Sequence, residues 1–245
     1  LILEGRAVMA QGVLSDPTVS KVLVTVHGIR TFGQWQERLG DLLRTSGFEG
    51  RVFHFKYGYF SSLAFLMPPL RFFMIRRFCR YLQLLRVTFP NATISFVGHS
   101  FGTHLIGWAL YRLVKKSPFP GDLIVLAGSV LIFKPAFPWN SLISRGAART
   151  VLNECGSKDG ILVLNQLVAL GLGFIGLLDD RFVNNYFAFG HSGYFLKDSR
   201  PDDHFMQSRW VKLLSDGVMP DRVDQRVPGG LLGRRRSDGL TCCFH

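Results

Sequence analysis

Residues 98–102 read Gly-His-Ser-Phe-Gly, between Thr93–Val97 (TISFV), a β-branched run of strand character, and Phe101–Lys115, a helical run. The pentapeptide alone recurs by chance. A strand before it and a helix after it turn it into a mechanism, because a serine on a sharp strand-to-helix turn presents its Oγ above a sheet. Gly98 and Gly102 then remove side chains that would collide with the neighbouring strand and helix, and the helix directs its positive N-terminal end at Ser100. The plainer alternative is a glycine-flanked helix that uses Ser100 as its cap.

The rest of the chain supplies a setting for such a turn. Short β-branched runs alternate with longer helical patterns, which predicts an α/β chain with a mostly parallel central sheet flanked by helices. Strands are expected at Lys21–Val26, Arg51–Tyr57, Thr93–Val97, Asp122–Leu126, Thr150–Asn153 and Asn184–Phe189, and helices at Gln34–Thr45, Leu70–Leu85, Phe101–Lys115 and Asp203–Leu214. At 245 residues and 47% hydrophobic composition, the chain fits one domain over residues 1–216. Residues 131–149, with two prolines and several aromatics, read as a short lid-like insertion and thus a minimal cap. Residues 217–245, rich in Gly, Arg, Asp and Pro, read as a disordered basic tail.

A serine nucleophile needs a base within reach and a carboxylate to orient it. Of the seven histidines, His191 follows the last strand in the loop Gly190-His191-Ser192-Gly193, where small neighbours let it bend over the serine. His204, at the start of the last helix, is the weaker candidate. Asp159, in the loop after the penultimate strand, gives the chain order Ser, Asp, His; Asp179 and Asp180 are later alternatives, and Glu154 falls too early, at the strand end itself. Acyl transfer also needs two backbone N–H groups aimed at the developing oxyanion. Phe101, next after Ser100, supplies one, and Ile29, after His27-Gly28 at the end of the first strand, is the candidate for the other. His27 is expected to support its loop by hydrogen bonding, and His99 is the variable residue of the turn.

Taken together, the His27-Gly28 loop, the GHSFG turn, the Asp159 loop and the His191 loop resemble the α/β-hydrolase superfamily, over about Val22 to Leu214. Within it they are similar to compact bacterial lipase-like serine esterases. The resemblance implies hydrolysis through a covalent acyl-enzyme on Ser100, with no cofactor and no metal. It excludes relatives with an Asp nucleophile. A carboxylic ester is the expected substrate, and Phe133, Phe137 and Trp139 suggest an apolar or lipid acyl group. The alternative is a non-catalytic module for a membrane surface or a partner that keeps the fold.

Charge bears on that alternative. The formal net charge is +12, and Arg71, Arg76, Arg77, Arg80 and Arg86 lie in a stretch that contains no acid. Clustered basic residues attract polyanions or anionic lipid. With no nucleic-acid motif in the sequence, a nucleic-acid partner is not expected, and Arg71, Arg76, Arg77 and Arg80 are read as a candidate surface for an anionic membrane. The four cysteines match no metal-ligand spacing and suit a reducing compartment. Leu1–Val13 has no basic flank followed by an apolar run, so no signal is read there. A chain that opens on Leu is read as a fragment or a processed form, which leaves an upstream signal open. The expectation is a cytoplasmic protein, with or without peripheral membrane contact.

Overall fold

A computed structural model describes residues 15–28, 34–57, 67–131, 137–156, 182–195 and 205–226. Six strands form its centre: β1 (Lys21–Val26), β2 (Arg51–Phe55), β3 (Thr93–His99), β4 (Gly121–Ala127), β5 (Thr150–Gly156) and β6 (Phe182–Phe187). They pair in the order β2-β1-β3-β4-β5-β6, and every pairing is parallel. Parallel strands need a crossover between them, so helices cover both faces and the strands are buried on both sides. In β1, Val22, Val24 and Val26 enter one core while Leu23 enters the other.

Helix α1 (Gln34–Thr45) covers one face through Trp35, Leu39 and Leu43, a four-residue repeat that makes one stripe. Glu37 in its first turn and Arg44 in its last complement the helix dipole. On the opposite face lie α2 (Pro68–Thr88), α3 (Phe101–Val114) and the short α4 (Trp139–Ser144). Pro68 and Pro69 open α2, where their missing N–H groups cost nothing. Its buried stripe is Arg71, Met74, Ile75, Phe78, Leu82 and Leu85. Arg76, Arg77 and Arg80 are exposed, while Arg71 is buried (7% exposed). Among the described residues no helix is long and apolar enough to cross a membrane.

Two further segments bear on the expectations. Within the 131–149 insertion the described aromatics turn inward. Phe137 and Trp139 are buried, and Phe137 packs on Trp108 and Tyr111, two or more turns along α3 from Ser100. Phe133 lies outside the described residues. The chain past Asp216, expected to be loose, continues in contact with the sheet through Arg226. The Tyr186 N–H donates to the Val223 carbonyl at 2.8 Å, the Gln225 N–H donates to the Tyr186 carbonyl at 2.8 Å, and the Arg226 guanidinium lies 3.9 Å from the Tyr186 ring centre. Residues 227–245, with the Arg234–Arg236 run, lie outside the described residues.

One ion pair fastens this edge. The last helical segment begins as a π-helical turn (Met206–Val211) and continues as α5 (Lys212–Asp216). Arg209 on the wide turn donates from Nε to Glu154 Oε1 at 3.2 Å and from both Nη atoms to the Asp221 carbonyl, and it lies over the Phe187 ring. Glu154 is completely buried, with the Asn185 side chain beside its carboxyl. Burial pushes its pKa up to about 7, against the opposing pull of Arg209. Arg209→Ala removes a charge-assisted hydrogen bond and leaves Glu154 to neutralise by taking up a proton, so it is expected to lower the unfolding free energy by about 1–3 kcal/mol in urea titrations. The exposed Arg44–Asp41 bridge provides the contrast, and Arg44→Ala should cost less than about 1 kcal/mol.

Candidate active site

The site follows from where two neighbouring strands send the chain. After β1 it leaves toward α1 on one face, and after β3 it leaves toward α3 on the other. The crevice that opens between diverging connections, at the carboxyl ends of the strands, is where parallel α/β sheets bind ligands. Val26 pairs with Gly98, so His27-Gly28 and His99-Ser100 meet at its lip.

Ser100 has φ 52° and ψ −122°, and it is the one non-glycine residue with positive φ among the described residues. Such a conformation costs about 1–3 kcal/mol and persists only where its surroundings over-determine it. Here its N–H donates to the Ala127 carbonyl at 3.0 Å, and its carbonyl accepts from the Thr103 N–H at 2.9 Å and the Thr103 hydroxyl at 2.6 Å. The Thr103 Oγ1 also accepts the Val130 N–H at 3.1 Å, which ties the turn to the segment after β4. Ser100 Oγ makes no capping bond, so the helix-cap alternative does not describe this turn.

The glycines are required by contact. A Cβ on Gly102 would lie 2.2 Å from the Val26 carbonyl oxygen, and one on Gly98 would lie 2.5 Å from Ile106 Cδ1. A Cβ on Gly28 would lie 2.9 Å from Ser100 Cβ and 3.1 Å from His99 Nδ1. The segment after β1 therefore passes directly against Ser100. Ile29, the expected oxyanion donor on that segment, lies outside the described residues. Phe101, the other, opens α3, so its N–H belongs to the first turn, whose N–H groups point out of the helix end.

His27 is fixed in place. Its Nδ1–H donates to the Gly28 carbonyl at 2.7 Å, its ring stacks on Tyr57 at 4.1 Å, and the Tyr57 hydroxyl donates to the His27 carbonyl at 2.8 Å. Burial lowers its pKa, so the ring is held neutral. His99 is buried more completely. Burial first, and then the neighbouring His191 and His27, push its pKa down to about 3. Its Nε2–H donates to the His191 carbonyl at 2.9 Å, and the two rings lie 4.6 Å apart. The half-buried His191 is thus packed on the residue that precedes Ser100.

Asp159 lies outside the described residues, as do Asp179, Asp180 and His204. The end of β5 leads toward the His191 loop, because a Cβ on Gly156 would lie 2.8 Å from the Phe189 carbonyl oxygen and 3.1 Å from that of Gly190. Sequence reasoning missed Tyr57 and Thr103. Neither carries a local signal, since each acts on a segment that the fold brings to it.

Gly102→Ala should destabilise the fold by about 3 kcal/mol in urea unfolding, since the new methyl meets strand backbone that cannot yield easily. Acid is a second probe. His99 and His104, the latter also buried with its pKa lowered to about 3, are neutral in the fold. Unfolded imidazoles titrate near 6.5, so the unfolded state binds more protons between that pH and about 3. The stability these residues contribute is complete above pH 6.5 and is lost as pH falls through that window. Glu154, whose pKa is raised, acts with the opposite sign between its ordinary value of 4.5 and about 7. The difference in melting temperature between wild type and His104→Gln removes the Glu154 contribution and should shrink as pH drops from 7 to 4.

No known family profile matches the sequence, and no curated protein sequence matches it. Among solved structures the chain is similar to the thioesterase domain SrfTE, which cyclises the lipopeptide antibiotic surfactin, at 10% identity over 82% of this chain and 91% of that one, with a TM-score of 0.44. It is similar to a cutinase-like protein from Cryptococcus sp. at 13% identity over 83% and 97% of the two chains, with a TM-score of 0.40. It is also similar to phospholipase PlaB from Legionella pneumophila, at 12% identity over 63% of this chain and a TM-score of 0.39, and it spans 42% of that chain's length. The parallel order β2-β1-β3-β4-β5-β6, with helices on both faces and a positive-φ serine turning β3 into α3, is the α/β architecture expected from the sequence.

Proposed function

We propose that the chain is a serine hydrolase that cleaves a carboxylic ester through an acyl-enzyme on Ser100. The observation that carries this reading is the strained turn itself. Ser100 stands at φ 52° at the mouth of the β1/β3 crevice, with Gly28 against it and His191 packed on its neighbour His99.

In this reading the Ser100 Oγ attacks the ester carbonyl while His191 takes its proton. The tetrahedral oxyanion is held by the N–H groups of Phe101 and Ile29, the arrangement that contributes most to acyl transfer in such sites. As the intermediate collapses, the C–O bond to the alcohol breaks, and the imidazolium returns the proton to the departing alcohol oxygen. Water, deprotonated by the same ring, then attacks the acyl-enzyme and releases the acid and Ser100. Asp159 orients the imidazole and stabilises its charged form. His27 and His99, both held neutral by burial, act as scaffold. Since Phe137 and Trp139 belong to the core, they lend no support to a lipid acyl preference.

A fluorophosphonate probe should label the wild-type chain at Ser100, and short p-nitrophenyl esters should be turned over. Ser100→Ala should abolish labelling, and His191→Ala and Asp159→Ala should each reduce kcat at least about a thousandfold with the fold retained. Equal labelling of Ser100→Ala, or none of the wild type, removes the proposal.

A further inference from the structure

No Asp or Glu occurs between Glu49 and Asp122, while ten Lys and Arg do. The fold collects six of these cations on one surface. Helices α2 and α3 run side by side on one face of the sheet, and the groove between them encloses about 840 Å³. Arg76, Arg80, Arg112, Lys115 and Lys116 line it, and Arg77 stands exposed beside it on α2. Among the described residues none of these six forms an ion pair. The buried Arg71 lies in the groove wall beside them.

The groove has a polarity along its length. Helix α2 precedes β3 and α3 follows it in an all-parallel sheet, so both helices start at the edge that carries Ser100. His104, one turn beyond Ser100, forms part of the groove wall. At that same edge the first turns of α2 expose Met67 (53%), Leu70 (37%), Phe72 (44%) and Phe73 (56%). Phe72 is flanked by the guanidinium groups of Arg112 at 4.2 Å and Arg76 at 5.7 Å from its ring centre. Apolar side chains at a helix tip, set among unpaired cations, match a bilayer interface. The rings and the methionine enter the acyl boundary while the cations meet lipid phosphates. A polyanion alone would leave the exposed apolar tip without a purpose.

We propose that the α2–α3 face docks on an anionic lipid bilayer, with the N-terminal turns of α2 inserted, and so presents the Ser100 edge to the membrane. The docking stands independently of the hydrolase reading and should persist in Ser100→Ala.

The test is co-sedimentation of the full chain with phosphatidylcholine vesicles, with and without phosphatidylglycerol. Binding is expected only to the anionic vesicles and should weaken as salt rises. Each basic residue near such a surface contributes roughly fivefold to binding. Arg76→Glu with Arg80→Glu should therefore weaken binding tenfold or more, and Phe72→Ser with Phe73→Ser should weaken it even at low salt. All four side chains are exposed, and unchanged melting temperatures should verify that the variants fold. The same charge reversal on the opposite face, Arg44→Glu with Lys212→Glu, should leave most of the binding intact. Four results overturn the proposal: equal loss in that control pair, full binding by the groove variants, binding lost only on neutralising Arg234–Arg236, or binding to neither vesicle. Equal capture by a single-stranded oligonucleotide, or displacement by millimolar inorganic phosphate, likewise sinks the bilayer as occupant.

Discussion

The structure depends on the crowding of backbone where β1 and β3 end side by side. Their connections leave for opposite faces, so two turns must pass within van der Waals contact before they diverge. Gly28, Gly98 and Gly102 sit where a single added methyl would meet Ser100, Ile106 or the β1 carbonyls. Ser100 has a side chain and must therefore point out of that crowd, at the cost of positive φ. The strain is held by bonds from three sources: the β4 carbonyl of Ala127, the first turn of α3, and the buried Thr103 hydroxyl that reaches the segment after β4. Release of the turn would require loosening β3, β4 and α3 together, which is why a strained residue can survive in a marginally stable fold.

Three histidines gather at this point, and burial divides their roles. His27 and His99 are enclosed, so the cost of removing a charge from water keeps them neutral, with one ring nitrogen of each donating to a backbone carbonyl. They serve as fixed polar wedges between the two turns. His191 alone of the three keeps part of its surface open, and its backbone carbonyl is held by His99. The loop that carries the candidate base is thus fastened to the turn that carries the candidate nucleophile by the residue between them. Packing on His99 fixes where the candidate base stands relative to the turn.

What the sequence discloses depends on how local the cause is. The turn at 98–102 was legible because its strand, glycines and helix are contiguous, and the strand runs were legible because parallel strands buried on both faces are continuously apolar. The burial of Arg71 had a readable signal that the charge argument overrode, since 71, 75, 78, 82 and 85 form one helical stripe. The destinations of Phe137 and Trp139 had none, because an aromatic in an irregular segment looks alike whether it covers a pocket or fills a core. Nor could spacing reveal that Arg209 meets Glu154, or that residues 221–226 lie along β6, since both contacts arise only when distant segments share a sheet edge. Of the candidate triad, His191 packs on His99, the neighbour of Ser100, while Asp159 and the oxyanion candidate Ile29 lie outside the described residues.

The distribution of acids explains why one face of the molecule is left so positive. Glu37, Asp41, Asp122, Glu154 and Asp224 are matched to Lys56, Arg44, Arg149, Arg209 and Arg226, and all of these lie off α2 and α3. An ordinary solvated helix would be expected to carry acids among its bases, since i,i+4 pairs stabilise it and like charges repel. Helix α2 forgoes such pairs and has no acid in its first turn, where one would favour the dipole. Its order comes instead from the stripe buried on the sheet, which frees the outer surface to keep a charge pattern that is unfavourable for the helix alone. That charge pattern is what the proposed bilayer docking would use, and the parallel topology starts both helices at the edge that carries the strained serine.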